Sequence, residues 1–172
     1  MKMKKIIIPL IIATMLLALT PTMTVKAATS DTFTITVSGE YLYIEIQPDT
    51  WDIGVVAMGS STYSNATPSN PYFTADTSNS TVDNNLQLQI TSDATDWNAA
   101  TAGNGPGPDI YRLNASSDNW ATENQIVVAS ATTIASITAG NDASFDLRFD
   151  APISTSTGAQ QTITITATVV KQ

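Results

Sequence analysis

The sequence predicts an all-β protein, an immunoglobulin-like or jelly-roll-like antiparallel β-sandwich of about eight to ten short strands. Three observations predict it. The C-terminal runs alternate strictly: Ala143, Phe145, Leu147 and Phe149 against Ser144, Asp146 and Arg148, then Ile163, Ile165, Ala167 and Val169 against Thr162, Thr164, Thr166 and Thr168. A period of two with β-branched residues marks half-buried strands. No stretch holds a 3.6-residue period with caps, and turn residues separate the apolar runs at short intervals. The two C-terminal runs read as a long hairpin closed by a loop holding Pro152 and Gly158. Its oily face needs a second sheet to cover it.

The other elements follow in order. Phe33, Ile35 and Val37 alternate with Thr34, Thr36 and Ser38. After Gly39-Glu40, a turn or bulge signal, Leu42, Ile44 and Ile46 alternate with Tyr41, Tyr43, Glu45 and Gln47. Pro48-Asp49-Thr50 turns into a third short strand, Trp51, Ile53 and Val55. A polar loop over Ser60–Pro71 precedes a strand at Tyr72–Ala75, and Leu86, Leu88 and Ile90 mark a clearer one. Ser92–Asp109 is the longest irregular stretch. Strands are expected at Ile110–Ala115, Gln125–Ala129 and Thr132–Ile137, and Thr138-Ala139-Gly140-Asn141 turns into the final pair.

Residues 1–27 read as a signal peptide. Lys2, Lys4 and Lys5 precede the apolar run Ile6–Leu19, and Val25-Lys26-Ala27 places small side chains at −3 and −1, the pattern of a cleaved export signal. The mature chain is then Ala28–Gln172, a single domain by length. It keeps three cations (Arg112, Arg148, Lys171) against fifteen acids, a net charge of −12. Such a surface repels nucleic acid and anionic lipid headgroups and accepts cations. The expected location is secreted, extracellular or at the cell surface, with no membrane association after cleavage and no nucleic acid partner. With no cysteine, the fold is held by its core, by ions or by assembly.

The absence of histidine and cysteine removes Ser-His-Asp and Cys-His catalysis and histidine-based zinc sites. A paired-carboxylate glycosidase needs only two acids, but the acids here are scattered, and no enzyme is expected. No cofactor is expected either, calcium excepted: Asp93, Asp96 and Asn98 share a loop, with Asp109 at its end and Asp118 and Glu123 in the next. Hard cations take several oxygens from such loops; the competing reading is a set of acids kept for solubility. Sequons begin at Asn65, Asn79 and Asn114, acceptor sites in a glycosylating host. Trp97, Trp120 and Tyr111 could form an aromatic platform for a glycan, or they could close the core, as large aromatics usually do.

Thr32–Ser38 directly follows the expected cut. A strand-forming segment there can pair within its own sheet or fill a groove in a neighbouring subunit. An edge left open by donation invites the next molecule and gives a head-to-tail filament.

The order of elements resembles a known group. Early strands are followed by Pro48-Asp49-Thr50-Trp51-Asp52-Ile53-Gly54 and Gly59-Ser60, then by Leu86–Asp93, Ala139–Pro152 and Thr162–Thr168. This is similar to the secreted immunoglobulin-like β-sandwich proteins of archaeal and bacterial surfaces, among them the archaeal bundling pilins and the TasA-type biofilm-matrix fibre subunits. The resemblance implies an extracellular filament built by N-terminal strand donation, with Phe33, Ile35 and Val37 as the assembly strand and a homo-oligomer as the partner. The alternative is a secreted carbohydrate-binding or adhesion module.

Overall fold

The computed structural model describes residues 32, 34–65 and 72–172. The expected signal peptide 1–27, residues 28–31, Phe33 and residues 66–71 lie outside the described residues. The chain divides into two units, Met1–Val37 and Ser38–Gln172. In the first, the described residues belong to no strand. The second carries ten strands: β1 Glu45–Gln47, β2 Ser61–Tyr63, β3 Phe73–Asp76, β4 Asn84–Ser92, β5 Asn98–Ala99, β6 Ile110–Ser116, β7 Asn124–Ile126, β8 Thr132–Ile137, β9 Ala143–Asp150 and β10 Thr164–Lys171. The described residues contain no helix.

The second unit is an all-β, two-sheet protein, as the alternation predicts. The larger sheet runs β1-β3-β9-β6-β5, with β2 beside β9 and β7 beside β6. The smaller runs β10-β4-β8. All pairings are antiparallel except β5 with β6. The inward faces meet in one core. Leu86, Leu88 and Ile90 of β4 face Leu113 and Ala115 of β6 and Phe145, Leu147 and Phe149 of β9. Rings fill the middle: Tyr111 stacks on Phe149 at 5.6 Å between centroids, and Phe73 on Phe145 at 5.1 Å. Each large side chain so buried contributes about 1.5–3 kcal/mol.

The expected C-terminal hairpin does not form. β9 pairs with β3, β2 and β6, whereas β10 pairs with β4 in the other sheet. The connection 151–163 therefore crosses from one sheet to the other. The two oily faces are opposed rather than side by side, each covering the other.

Two other expectations change. The strand expected over 41–47 is paired as a strand only at β1; before it, the amides and carbonyls of Tyr41 and Tyr43 are held by Thr81 and by the Ser80 hydroxyl. The strand expected at Trp51–Val55 is absent. Trp51 and Ile53 do turn half inward, but Val55 is fully exposed, because Gly54, at φ +69°, breaks the alternation with a left-handed turn that glycine adopts without strain.

Strand β9 also buries both faces. Its outward side chains Asp146, Arg148 and Asp150 are covered. Asp150 accepts from Ser61 Oγ at 2.6 Å and from Arg112 Nε at 2.7 Å. Arg148 is bidentate to Glu123 and has its Nε 3.1 Å from Asp150 Oδ1, near enough for an ion pair but outside hydrogen-bonding alignment. Its guanidinium lies against the rings of Tyr63 and Trp120, at 5.8 and 5.7 Å, a cation–π arrangement. Asp146 accepts the Tyr72 amide at 2.8 Å.

Candidate functional site

The side chain that shows where the sandwich is unfinished is Ile165. In β4, the middle strand of the small sheet, Leu86, Leu88 and Ile90 are at most 2% exposed. In neighbouring β10 the equivalent row, Ile163, Ile165, Ala167 and Val169, is only half-buried. Among the described residues β10 is an edge strand, paired with β4 alone. Its other edge carries free N–H and C=O groups, the template on which a further strand can add.

Beside that edge lies an apolar groove of about 960 Å³. Its floor is core, with Leu88, Leu113, Phe145, Leu147 and Phe149 contributed by both sheets. It is bounded by Ile163, Ile165 and Ala167 together with the connection 157–162, and by Trp51, Ile53 and Val56 of the segment that follows β1. The lining is mostly apolar, with threonines and glutamines of 155–162 at its rim, and the charged side chains that line it, Asp49 and Asp52, are both exposed. It suits an extended apolar segment better than a polar small molecule, which would need convergent polar groups to orient it.

The expected assembly strand has the matching chemistry. Ile35 is 72% and Val37 83% exposed, and residues 34–38 are in no strand. Two β-branched side chains are thus exposed at alternate positions of one short segment.

The glycan platform does not form. Tyr111 is fully buried and donates its hydroxyl to Asp93 at 2.6 Å; burial, then that bond and the charge of Asp93, push its pKa well up. Trp97 is buried against Phe149 and donates its indole N–H to Thr155 at 2.7 Å. Both rings are core pieces. Trp120 is half-buried and meets Tyr63 edge-on at 5.1 Å. The charged stripe of β9 is what positions it, through Arg148.

The calcium candidates are not brought together; among the described residues no three acids gather around one point. Each is taken up by hydrogen bonds instead, within its own loop or to a neighbouring element. Asp93 accepts the amides of Ala94 and Ala99, and Asp96 accepts the side-chain amide of Gln161. Asp109 accepts the Ser156 amide at 2.7 Å, and Asp118 the Thr122 amide at 2.9 Å. Asn98 is exposed on β5, and Glu123 is taken up by Arg148. Of the sequons, Asn79 is exposed in a turn and Asn65 is half-buried. Asn114 is 3% exposed within β6, so a glycan there has no room.

The loop carboxyls make the fold sensitive to acid. Bonds from Ser156 to Asp109, from Thr122 to Asp118 and from Ser78 to Asp76 hold these carboxyls below the usual range. A depressed folded-state pKa gives stability that is complete above the unfolded value of about 4 and is lost as pH falls through the folded value. Thermal melts are expected to show little pH dependence from these groups between about pH 8 and 5, and a falling Tm below about pH 4.

These features define a class: a two-sheet β-sandwich with an apolar groove beside the edge strand β10. Compared with protein-family models, with curated proteins and with solved structures, the chain matches none.

Proposed function

We propose that this protein is a secreted structural subunit of an extracellular filament or pilus at the cell surface, each copy giving Thr32–Ser38 as a strand to the next. The observation that carries the reading is the apolar groove beside the free edge of β10. A seven-residue strand spans about 23 Å, comparable to the eight residues of β10. Pairing with that edge would satisfy its backbone groups, and side chains at alternate positions would enter the groove. Phe33, Ile35 and Val37 supply them. Each one buried is worth about 1.5–3 kcal/mol before the cost of ordering the segment.

A donor at one place and an acceptor at another make a heterologous contact, which propagates head to tail instead of closing into a dimer. The resemblance to bundling pilins and matrix fibre subunits agrees with this reading, as does export by residues 1–27. The strongly acidic surface repels neighbouring fibres until cations screen it within about 10 Å at moderate salt.

The test compares the mature chain Ala28–Gln172 with a chain beginning at Gly39, by size exclusion and negative-stain microscopy. All ten strands lie beyond Gly39, so the shorter chain keeps its body. Filaments from the first and monomers from the second are expected. Monomers from both, equally stable, would defeat the reading and direct attention to a glycan-binding screen.

A further inference from the structure

The segment 48–56 holds the Trp51–Val55 run that reads as a strand, and its backbone makes no hydrogen bond to the rest of the protein among the described residues. Trp51 and Ile53 are half-buried in the groove and Asp52 between them is exposed, the period of a strand. Yet among the described residues the segment 48–56 makes one hydrogen bond, the Gly54 amide to Asp52 Oδ1 at 3.0 Å, and none to any other part of the protein. Its ends are fixed. Gln47 sits opposite Thr74 in the β1–β3 pair, and the Gly59 amide donates to the Pro152 carbonyl at 2.8 Å. Between those anchors only Trp51, Ile53 and Val56 hold it to the core.

The groove is thus bounded by two lengths of chain that lack backbone partners on the side of the opening, β10 and this strap. An extended segment has donors and acceptors along both of its edges. Laid against β10 alone, it would leave one edge unpaired over an apolar floor, where unmet N–H and C=O groups are costly. The strap, which also lines the groove, has the unpaired backbone to meet them.

We infer that residues 49–56 are a latent strand that pairs with the donated segment on assembly, so that the incoming strand is held between β10 and the strap. The inference rests on the filament reading and adds a coil-to-strand change to it. In the monomer the strap is kept only by its side chains, which leaves it free to re-register. In the filament Trp51 and Ile53 close over the donor, and the backbone of 49–56 acquires a ladder.

Hydrogen–deuterium exchange on the mature chain, as monomer and as filament, tests this with the peptides spanning 49–58. Amides without partners exchange near the unprotected rate, whereas those in a buried ladder approach the slowest class. Exchange over 49–56 is expected to slow by at least about 100-fold in filaments, together with protection of 32–38. If filaments form and 32–38 becomes protected while 49–56 exchanges as in the monomer, strand donation stands and the latent strand is overturned. If 32–38 stays unprotected in the assembled state, or no assembly forms, both fall together.

Discussion

Ile35→Asp and Val37→Asp are each expected to raise the concentration needed for filament growth by at least about 100-fold, with the monomer unharmed. The estimate follows from what each side chain does in the two states. In the monomer both are largely exposed, so replacing either removes no packing, and Tm should shift by no more than about 1–2 °C, as for an ordinary surface change. In a filament each would enter the groove lined by Leu113, Leu147 and Ile165. The substitution forfeits about 1.5–3 kcal/mol of burial and adds the cost of bringing a carboxylate toward an apolar floor. Together these exceed about 2.7 kcal/mol, two factors of ten in affinity. Thr34→Asp and Thr36→Asp, on the other face of the same segment, should cost far less. Sedimentation of polymer against concentration measures all four. Equal losses at both faces would argue against a strand and for a nonspecific effect of charge.

Asp150→Ala is expected to be the most damaging single change in the body of the fold, at about 3 kcal/mol or about 10 °C in Tm. Asp150 is 4% exposed and sits between two arginines. Removing it leaves Arg148, itself 9% exposed, beside Arg112 with no anion between them. Arg148 keeps Glu123 as its remaining anion, whereas Arg112 loses its carboxylate; breaking a buried pair from one side costs more than the pair contributes, because the partner left behind is less well compensated. Ser61, which donates to the same carboxylate, would also loosen β2. Glu123→Gln should cost about 1 kcal/mol or less, since Glu123 is 43% exposed and solvent replaces it. Thermal melts of the two variants separate the cases. A Glu123→Gln loss as large as that of Asp150→Ala would place the weight of the network at the surface.

Much of this fold is legible in the sequence, for a physical reason. Leu86-Gln87-Leu88-Gln89-Ile90 and Ala143 to Phe149 alternate because each strand turns one face to the apolar core, and period two records that directly. What alternation records is the side of a strand that is oily, not the strand that lies beside it. Hence the runs ending in β9 and β10 read as a hairpin although they belong to different sheets. The polar row Asp146, Arg148 and Asp150 reads as a wet face and is buried. The clue lies in its order: opposite charges on alternate residues of one strand can neutralise each other under cover, and Tyr63 and Trp120 supply the cover.

The groove is less legible still. Ile163, Ile165, Ala167 and Val169 look like the apolar face of any strand, and nothing in their order tells an edge from a centre. Only the half-exposure of that row beside the fully buried row of β4 shows where a neighbour is missing. Likewise Trp97 and Tyr111 admit a surface platform beside the commoner reading as core, until the Tyr111 hydroxyl and the Trp97 indole N–H are seen bonded inside, to Asp93 and Thr155.

The donated segment and its acceptor can be joined in one measurement. A photoreactive side chain in place of Ile35 in the mature chain, with isotopically light and heavy copies mixed before assembly, reports what that position touches and in which molecule. Crosslinks between light and heavy chains, mapping to 157–167 or 49–56, are the expected result. Crosslinks confined within single chains, or mapping to the outward face of the small sheet at Gln87 and Thr166, would contradict strand donation into the groove.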